Sequence, residues 1–199
     1  VPVVARGAGT GLTGGALSVA GGVCLDMGGL TRILRLDPAD QVAVVEPGVI
    51  TSDLQAAARA KGLFYPPDPA SANFSTIGGN VAENAGGLRA VKYGVTRDYV
   101  LGLKAVLPDG RVFKTGSSTM KSVVGYDLTR LLVGSEGTLA VIVEATLRLL
   151  PLPEASVTIS ALFDNLDQAT NAVRGVLAGG IRPVACEFMD ASSLRAVEA

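Results

Sequence analysis

Residues 5–15 read ARGAGTGLTGG, and Gly9, Gly11 and Gly14 in them satisfy the spacing G-x-G-x-x-G. Glycines at this spacing do their chemistry with the backbone. Lacking Cβ atoms, Gly7, Gly9, Gly11 and Gly14 let successive N–H groups turn into one concavity that suits a phosphate. Arg6 adds a positive charge beside them. The alternative is a tight glycine turn that binds nothing. The same letters also open a Rossmann dinucleotide site, which needs a strand, the loop, a full helix and then a parallel strand. Only Ala16 to Ala20 separate Gly15 from Gly21-Gly22, and the apolar run VCLDM follows at once. A helical crossover takes about a dozen residues or more, so none fits. Asp26 also comes too early for a ribose-binding acid, expected roughly twenty residues further on. The spacing therefore predicts a nest of amides between two strands, not a Rossmann unit.

Other chemistry is narrowed by composition. The chain has no histidine, which removes the commonest catalytic base and metal ligand. Its two cysteines, Cys24 in GVCLDM and Cys186 in VACEFM, sit in apolar runs and read as buried free thiols. No metal site is expected.

The elements that must position the glycine loop are legible around it. VPVVA and GGVCLDM read as strands. ILRLD and VAVVEPG flank the turn signal Asp37-Pro38-Ala39-Asp40 and predict a hairpin. TSDLQAAARAKG predicts a helix, with Ser52 and Gln55 as a capping box and Gly62 as its stop. The stretch from Leu63 to Gly94 is proline-rich, then glycine-rich, and allows at most a turn or two of helix in GNVAEN. LGLKAVL and RVFKTG flank Pro108-Asp109-Gly110, a second hairpin. YDLTRLLVG reads as a short helix closed by Gly134. In TLAVIVEATLRLL, Glu144, Thr146 and Arg148 alternate with Val143, Ala145, Leu147 and Leu149, which predicts a half-buried strand. After Pro151 and Pro153 the pattern is strand (156–163), helix with an Asn165/Gln168 capping box, and strand (184–189). A domain boundary is placed there.

The chain has 199 residues, 48% hydrophobic and 18% charged, which suits a packed globular protein. Seventeen basic residues against 18 acidic ones give no attraction to nucleic acid or an anionic membrane. The longest apolar stretch carries Arg130, Glu136, Glu144 and Arg148, which a membrane span would not tolerate. No signal peptide is legible. The chain starts with Val inside a strand pattern and ends in the helical SSLRAVEA, as a piece of a longer protein would.

Three segments together resemble a known family: VARGAGTGLTGG, YPPDPASANFSTIGGNVAENAGGLRAVKYG and GYDLTRLLVGSEGTLAVIVEATLRLLP. They resemble the FAD-linked oxidases of the vanillyl-alcohol-oxidase (PCMH-type) fold. Within that family the match is to the FAD subunit of glycolate oxidase and its D-lactate and D-2-hydroxyglutarate dehydrogenase relatives. The resemblance implies an α+β fold with mixed and antiparallel sheets and flanking helices. Residues 1–150 would form the FAD-binding domain, lacking its N-terminal segment. Residues 151–199 would begin a ferredoxin-like cap domain.

The resemblance further implies that Arg6, Gly7, Ala8, Gly9, Thr10, Gly11 and Leu12 wrap the FAD pyrophosphate, with Gly14 and Gly15 supporting the turn. Pro67, Asp68 and Pro69 would line the cofactor, with Ser71 nearby. Thr76, Gly78, Gly79 and Asn80 would meet the pyrophosphate and ribityl region, and Asn84, Gly86 and Gly87 the isoalloxazine ring. Glu136 and Gly137 would bind near the ribose or phosphate, and Ile142 and Val143 at the adenine end. Lys121 reads as a solvated lysine rather than a cofactor contact; Tyr93 and Tyr126 receive no role. The implied reaction is oxidation of a 2-hydroxy acid to the 2-oxo acid, with hydride passing to flavin N5. With no histidine, and no cysteine in a cofactor loop, the FAD is expected to be noncovalent. Relatives bind the substrate carboxylate largely from the cap domain, so no catalytic residue is assigned. An iron–sulfur electron-transfer subunit is the implied partner, and a cytoplasmic location, peripheral to the membrane through that partner, is implied. The alternatives are a non-catalytic flavin-fold subunit, or a same-fold oxidase of another alcohol or a sugar.

Overall fold

A computed structural model describes residues 1–198. The chain opens with β1 (Val3–Arg6) and β2 (Val23–Asp26), paired in parallel with Val3 opposite Val23. The connection between them, residues 7–22, contains no helix. β3 (Ile33–Asp37) and β4 (Val42–Val45) form the expected hairpin, its turn closed by the N–H groups of Ala39 and Asp40 donating to Asp37 Oδ1. Then come α1 (Thr51–Arg59), β5 (Leu63–Phe64), α2 (Ile77–Glu83) and a single turn, α3 (Ala90–Tyr93). β6 (Val100–Val106) and β7 (Val112–Gly116) form the second hairpin. α4 (Leu128–Leu132), β8 (Val141–Arg148) and β9 (Leu150–Pro151) follow, then α5 (Leu166–Ala178) and α6 (Ala191–Glu198).

Five strands make one antiparallel sheet in the order β3-β4-β8-β6-β7. β5 pairs separately with β9. The central position of β8 explains its apolar alternation. Ala145, Leu147 and Leu149 are buried against Ala43, Val45 and Leu103 of the neighbouring strands. Leu54 and Ala58 of α1, and Ile77 and Val81 of α2, complete the core. Each large apolar side chain fully buried here contributes about 1.5–3 kcal/mol. At the amino end of β8 the phase shifts, and Ile142 rather than Val143 is buried. The register slips between Lys104 and Ala105, which face Glu144 and Ile142. One extra residue in a ladder turns the following side chains to the other face.

Three expectations are corrected by the structure. The Ser52/Gln55 capping box does not form. The helix begins at Thr51 after Ile50, which supplies no side-chain acceptor. Its first donors go instead to another segment: Thr51 N and Oγ1 donate to Ser75 O, and Ser52 N to Ala72 O. A tertiary contact thus satisfies what a cap would have satisfied. Cys24 and Cys186 are both exposed, not buried. β2 belongs to a two-stranded sheet with little over its outer face, so apolar neighbours in sequence did not mean burial. The strands expected at 156–163 and 184–189 do not form, because neither segment finds a ladder partner among the described residues. The helix between them forms, with Asn165 Oδ1 accepting from Gln168 N at 2.9 Å. Gln168 reaches back to Asp164 N rather than Asn165 N. No described residue after Pro151 is buried. No helix is long and apolar enough to cross a membrane among the described residues.

Candidate functional site

A cavity of about 500 Å³ lies where the glycine loop, α2 and the start of β8 meet. One wall is the loop itself: Gly7, Ala8, Gly9, Thr10, Gly11 and Leu12, continued by Thr13, Gly15 and Ala16. Thr76, Gly78, Gly79 and Asn80 form the facing wall. Ser71 closes one side, with Pro69 and Ala70. Glu136, Gly137 and Ile142 close the other, with Ala140.

The facing wall is held from below by a buried polar network. Thr76 caps α2, its Oγ1 accepting from Gly79 N at 3.2 Å. Asn80, buried, donates Nδ2 to Thr51 Oγ1 at 2.7 Å, and Thr51 in turn donates to Ser75 O. The first-turn amides of α2 are consumed inside the protein: Ile77 N donates to Val49 O and Gly78 N to Pro47 O. At its other end Gly134 N and Glu136 N donate to Val81 O and Ala82 O. The Ala82 carbonyl would otherwise be unpaired at a helix C-terminus, while Val81 O also accepts from Asn84 N. That contact is what brings Glu136 and Gly137 to the cavity.

The glycine wall is different. Among the described residues, the N–H groups of Ala8 to Thr13 donate to no acceptor. Gly9 has φ +69°, and the Arg6 guanidinium lies over it, with Nη2 3.0 Å from where a Cβ would stand. A Cβ on Gly7 would collide with Thr76 Oγ1, which is already committed to the α2 cap. The loop thus lies against α2 only because it lacks side chains, and it carries a row of unspent donors. That combination fits a group with several anionic oxygens and a need for close backbone approach.

Not every residue singled out by sequence reaches the cavity lining. Arg6 flanks it through Gly9. Pro67 and Asp68 lie behind Pro69, and the Asp68 carboxylate meets Arg89 Nε at 3.2 Å and Gln55 Nε2 at 3.3 Å. Asn84 sits in the left-handed region with φ 53°, and its Oδ1 accepts from Arg97 N at 2.9 Å. Gly86 and Gly87 lie outside the lining, as does Val143, while Ala85 is part of it. Lys121 and Tyr126 are exposed and away from it, and Tyr93 packs edge-on against Phe64.

Sequence reasoning missed Met27, Pro47 and Glu83, all on the lining. Glu83 was legible: it lies four residues after Gly79 on one helix, hence on the same face. Its carboxylate reaches the position a Gly11 side chain would take. Met27 and Pro47 had no such signal: the pairing of β2 with β1 carries Met27 in, and Gly78 N donating to Pro47 O ties Pro47 to α2. Pro47 is fixed by its neighbour Glu46, whose carboxylate accepts from Arg32 N and Arg32 Nη2, both at 2.8 Å. That pairing holds the Glu46 carboxyl below its ordinary range. Burial pushes the phenols of Tyr65 and Tyr99, stacked edge-on in the core, upward.

Residues 1–116 match the family model described as "FAD binding domain", and residues 152–199 match "FAD linked oxidases, C-terminal domain". The glycolate oxidase subunit GlcD of Bacillus subtilis is 50% identical over 100% of this chain and 42% of its own length. A D-lactate dehydrogenase of Archaeoglobus fulgidus is 46% identical over 100% of this chain and 43% of its own. This chain therefore spans about two fifths of the relatives' length. An alkyldihydroxyacetonephosphate synthase structure, 24% identical, covers 92% of this chain and 33% of its own with a TM-score of 0.79, a likeness of fold. The cavity, its glycine wall and these matches agree: the chain belongs to the FAD-linked oxidases, carries their PCMH-type FAD-binding fold, and takes FAD as its cofactor.

Proposed function

We propose that this chain is the flavin-binding part of an oxidoreductase that converts a 2-hydroxy acid, such as glycolate or D-lactate, into the 2-oxo acid. The observation that carries the reading is the cavity in which three separated segments meet, with unspent backbone donors on one wall. Relatives named for glycolate and D-lactate support this substrate class, since both are 2-hydroxy acids. When bound, FAD supplies the two-electron acceptor.

The residues of this chain bind and orient. The amides of Ala8 to Thr13 hold the diphosphate, with Arg6 adding charge. Thr76, Gly78, Gly79 and Asn80 let the backbone approach closely. Glu136 and Gly137 meet the ribose, and Ile142 and Ala140 exclude water at the adenine end. Residues 1–150 form the FAD-binding domain and 151–199 begin the oxidase cap. The cavity lining holds no lysine, arginine or histidine, so the cation for the substrate carboxylate is assigned to the cap. Neither Cys24 nor Cys186 is on the lining, which supports noncovalent FAD. The subunit names of the GlcD relatives support assembly with further subunits; an iron–sulfur electron acceptor among them, and a cytoplasmic location, belong to the proposal.

The test is anaerobic flavin reduction in the full-length protein. Glycolate or D-lactate should bleach the visible flavin bands. An FAD-loaded protein that stays yellow with every 2-hydroxy acid would overturn the substrate class, in favour of a non-catalytic subunit or another alcohol. Acid precipitation should leave the flavin in the supernatant.

A further inference from the structure

The wall Pro69-Ala70-Ser71 is held in an unusual way. Pro67 and Pro69 have no N–H, so this stretch has few donors with which to join a neighbour. Its acceptors are gripped instead. Gln55 Nε2 donates to Pro67 O at 2.8 Å and to Asp68 Oδ1 at 3.3 Å. Arg89 Nε lies 3.2 Å from Asp68 Oδ2, and both side chains are about three-quarters buried (26% and 25% exposed). The Arg89 guanidinium is itself fixed over the Phe64 ring, 5.1 Å from its centroid. The Asp68 carbonyl rests on Gly87, where any Cβ would collide with it. Asp68 is thus turned away from the cavity and gripped from two sides, by α1 through Gln55 and by the segment after α2 through Arg89.

We propose that Gln55 and Arg89 are positioning residues for the flavin site: through Asp68 they set where Pro69, Ala70 and Ser71 stand against the cofactor. A carboxylate held by two donors at separate oxygens has little freedom to rotate, and the two prolines transmit that constraint to the next residues. The inference rests on the assignment of Pro69–Ser71 to the flavin wall.

The test uses full-length apoprotein titrated with FAD, read by flavin fluorescence and by visible circular dichroism of the bound flavin. R89M and Q55L should each weaken FAD binding about tenfold and alter the dichroism. D68N combined with R89M should be no worse than R89M alone, because both cut the same contact. R89K, which keeps the charge over Phe64 but loses the planar Nε donor, should fall between wild type and R89M. If R89M and Q55L lower the melting temperature yet leave affinity and dichroism unchanged, the residues are merely structural and the proposal fails. A70F separates the two assumptions. Unchanged FAD binding in A70F overturns the wall assignment and the clamp with it. Loss of binding in A70F, with R89M and Q55L unaffected, overturns the clamp alone.

Discussion

The two facing walls of the cavity are built on opposite principles. The α2 wall stands on buried polar residues, Thr51, Ser75, Thr76 and Asn80, and every first-turn amide has an internal acceptor. The glycine wall runs mostly exposed from Gly7 to Gly22, and its amides from Ala8 to Thr13 have none among the described residues. One wall is satisfied by the protein and the other leaves its amides open to water or a ligand. The difference teaches where affinity and stability are separable: a change in the glycine wall should cost cofactor binding far more than folding, and a change in the α2 wall should cost both.

The largest effect should come from the glycine wall. Gly9→Val puts a β-branched side chain at φ +69° and against the Arg6 guanidinium. A non-glycine residue in the left-handed region costs roughly 1–2 kcal/mol, yet FAD should be lost outright, because the amides no longer converge. Titration of the apoprotein with FAD, beside thermal melting, checks this. Unchanged FAD affinity would break the contrast between the walls.

Asn80→Leu should show the reverse balance. The side chain is buried and its amide donates to Thr51 Oγ1 at 2.7 Å. Leaving a buried polar partner unsatisfied costs about 1–3 kcal/mol, which at this chain length corresponds to roughly 2–4 °C in melting temperature per kcal/mol. FAD affinity should fall with it, since the wall itself loosens. Thr76→Ala should be milder, about 1 kcal/mol for a lost helix cap. It carries a further consequence: removing Oγ1 clears the atom that a Cβ on Gly7 would strike. Gly7→Ala should therefore be better tolerated in a Thr76→Ala background than alone, and a double-mutant cycle on stability measures that coupling.

How much of this was legible in the sequence follows the same divide. Backbone chemistry carried by glycine is local, so ARGAGTGLTGG announced a nest of amides and excluded a helix before Val23. The antiparallel hairpins were legible for a similar reason, since turn residues and alternation are neighbours in sequence. What failed was decided at long range. Ser52 looks like a cap, but the acceptors that start α1 belong to Ala72 and Ser75. Cys24 sits in an apolar run, but burial depends on a covering layer that β2 does not have. The segment 156–163 has a strand's composition and no ladder partner among the described residues. Asp68 lies in a recognisable motif, yet its carboxylate faces Arg89 and Gln55, not the cavity. Motif letters picked out segments that meet at one cavity, and only the fold could say which way each side chain turns.

The smallest effect tests the seam between the two walls. Met27, from the glycine side, and Pro47, under α2, both line the cavity, and Glu46 anchors that junction through Arg32. The folded Glu46 carboxyl titrates below its ordinary value, chiefly because Arg32 hydrogen-bonds the charged form. The folded state therefore binds fewer protons than the unfolded state in the window between the two values. The resulting stabilisation is fully present above the unfolded value, about 4.3, and disappears as pH falls through the folded one. Glu46→Gln removes the charge but keeps one acceptor for Arg32 N. It should leave the fold intact, lower stability slightly at neutral pH, and flatten the acid limb of the stability curve. The Arg32 side chain is 77% exposed, so solvent screening keeps the effect modest. Asp37, also held low by the hairpin turn and Arg35, is present in both proteins and cancels in the comparison. Melting temperatures of wild type and variant from pH 7 down to about 3 should converge at the acid end. Parallel curves would mean that Glu46 does not tie the seam by its charge.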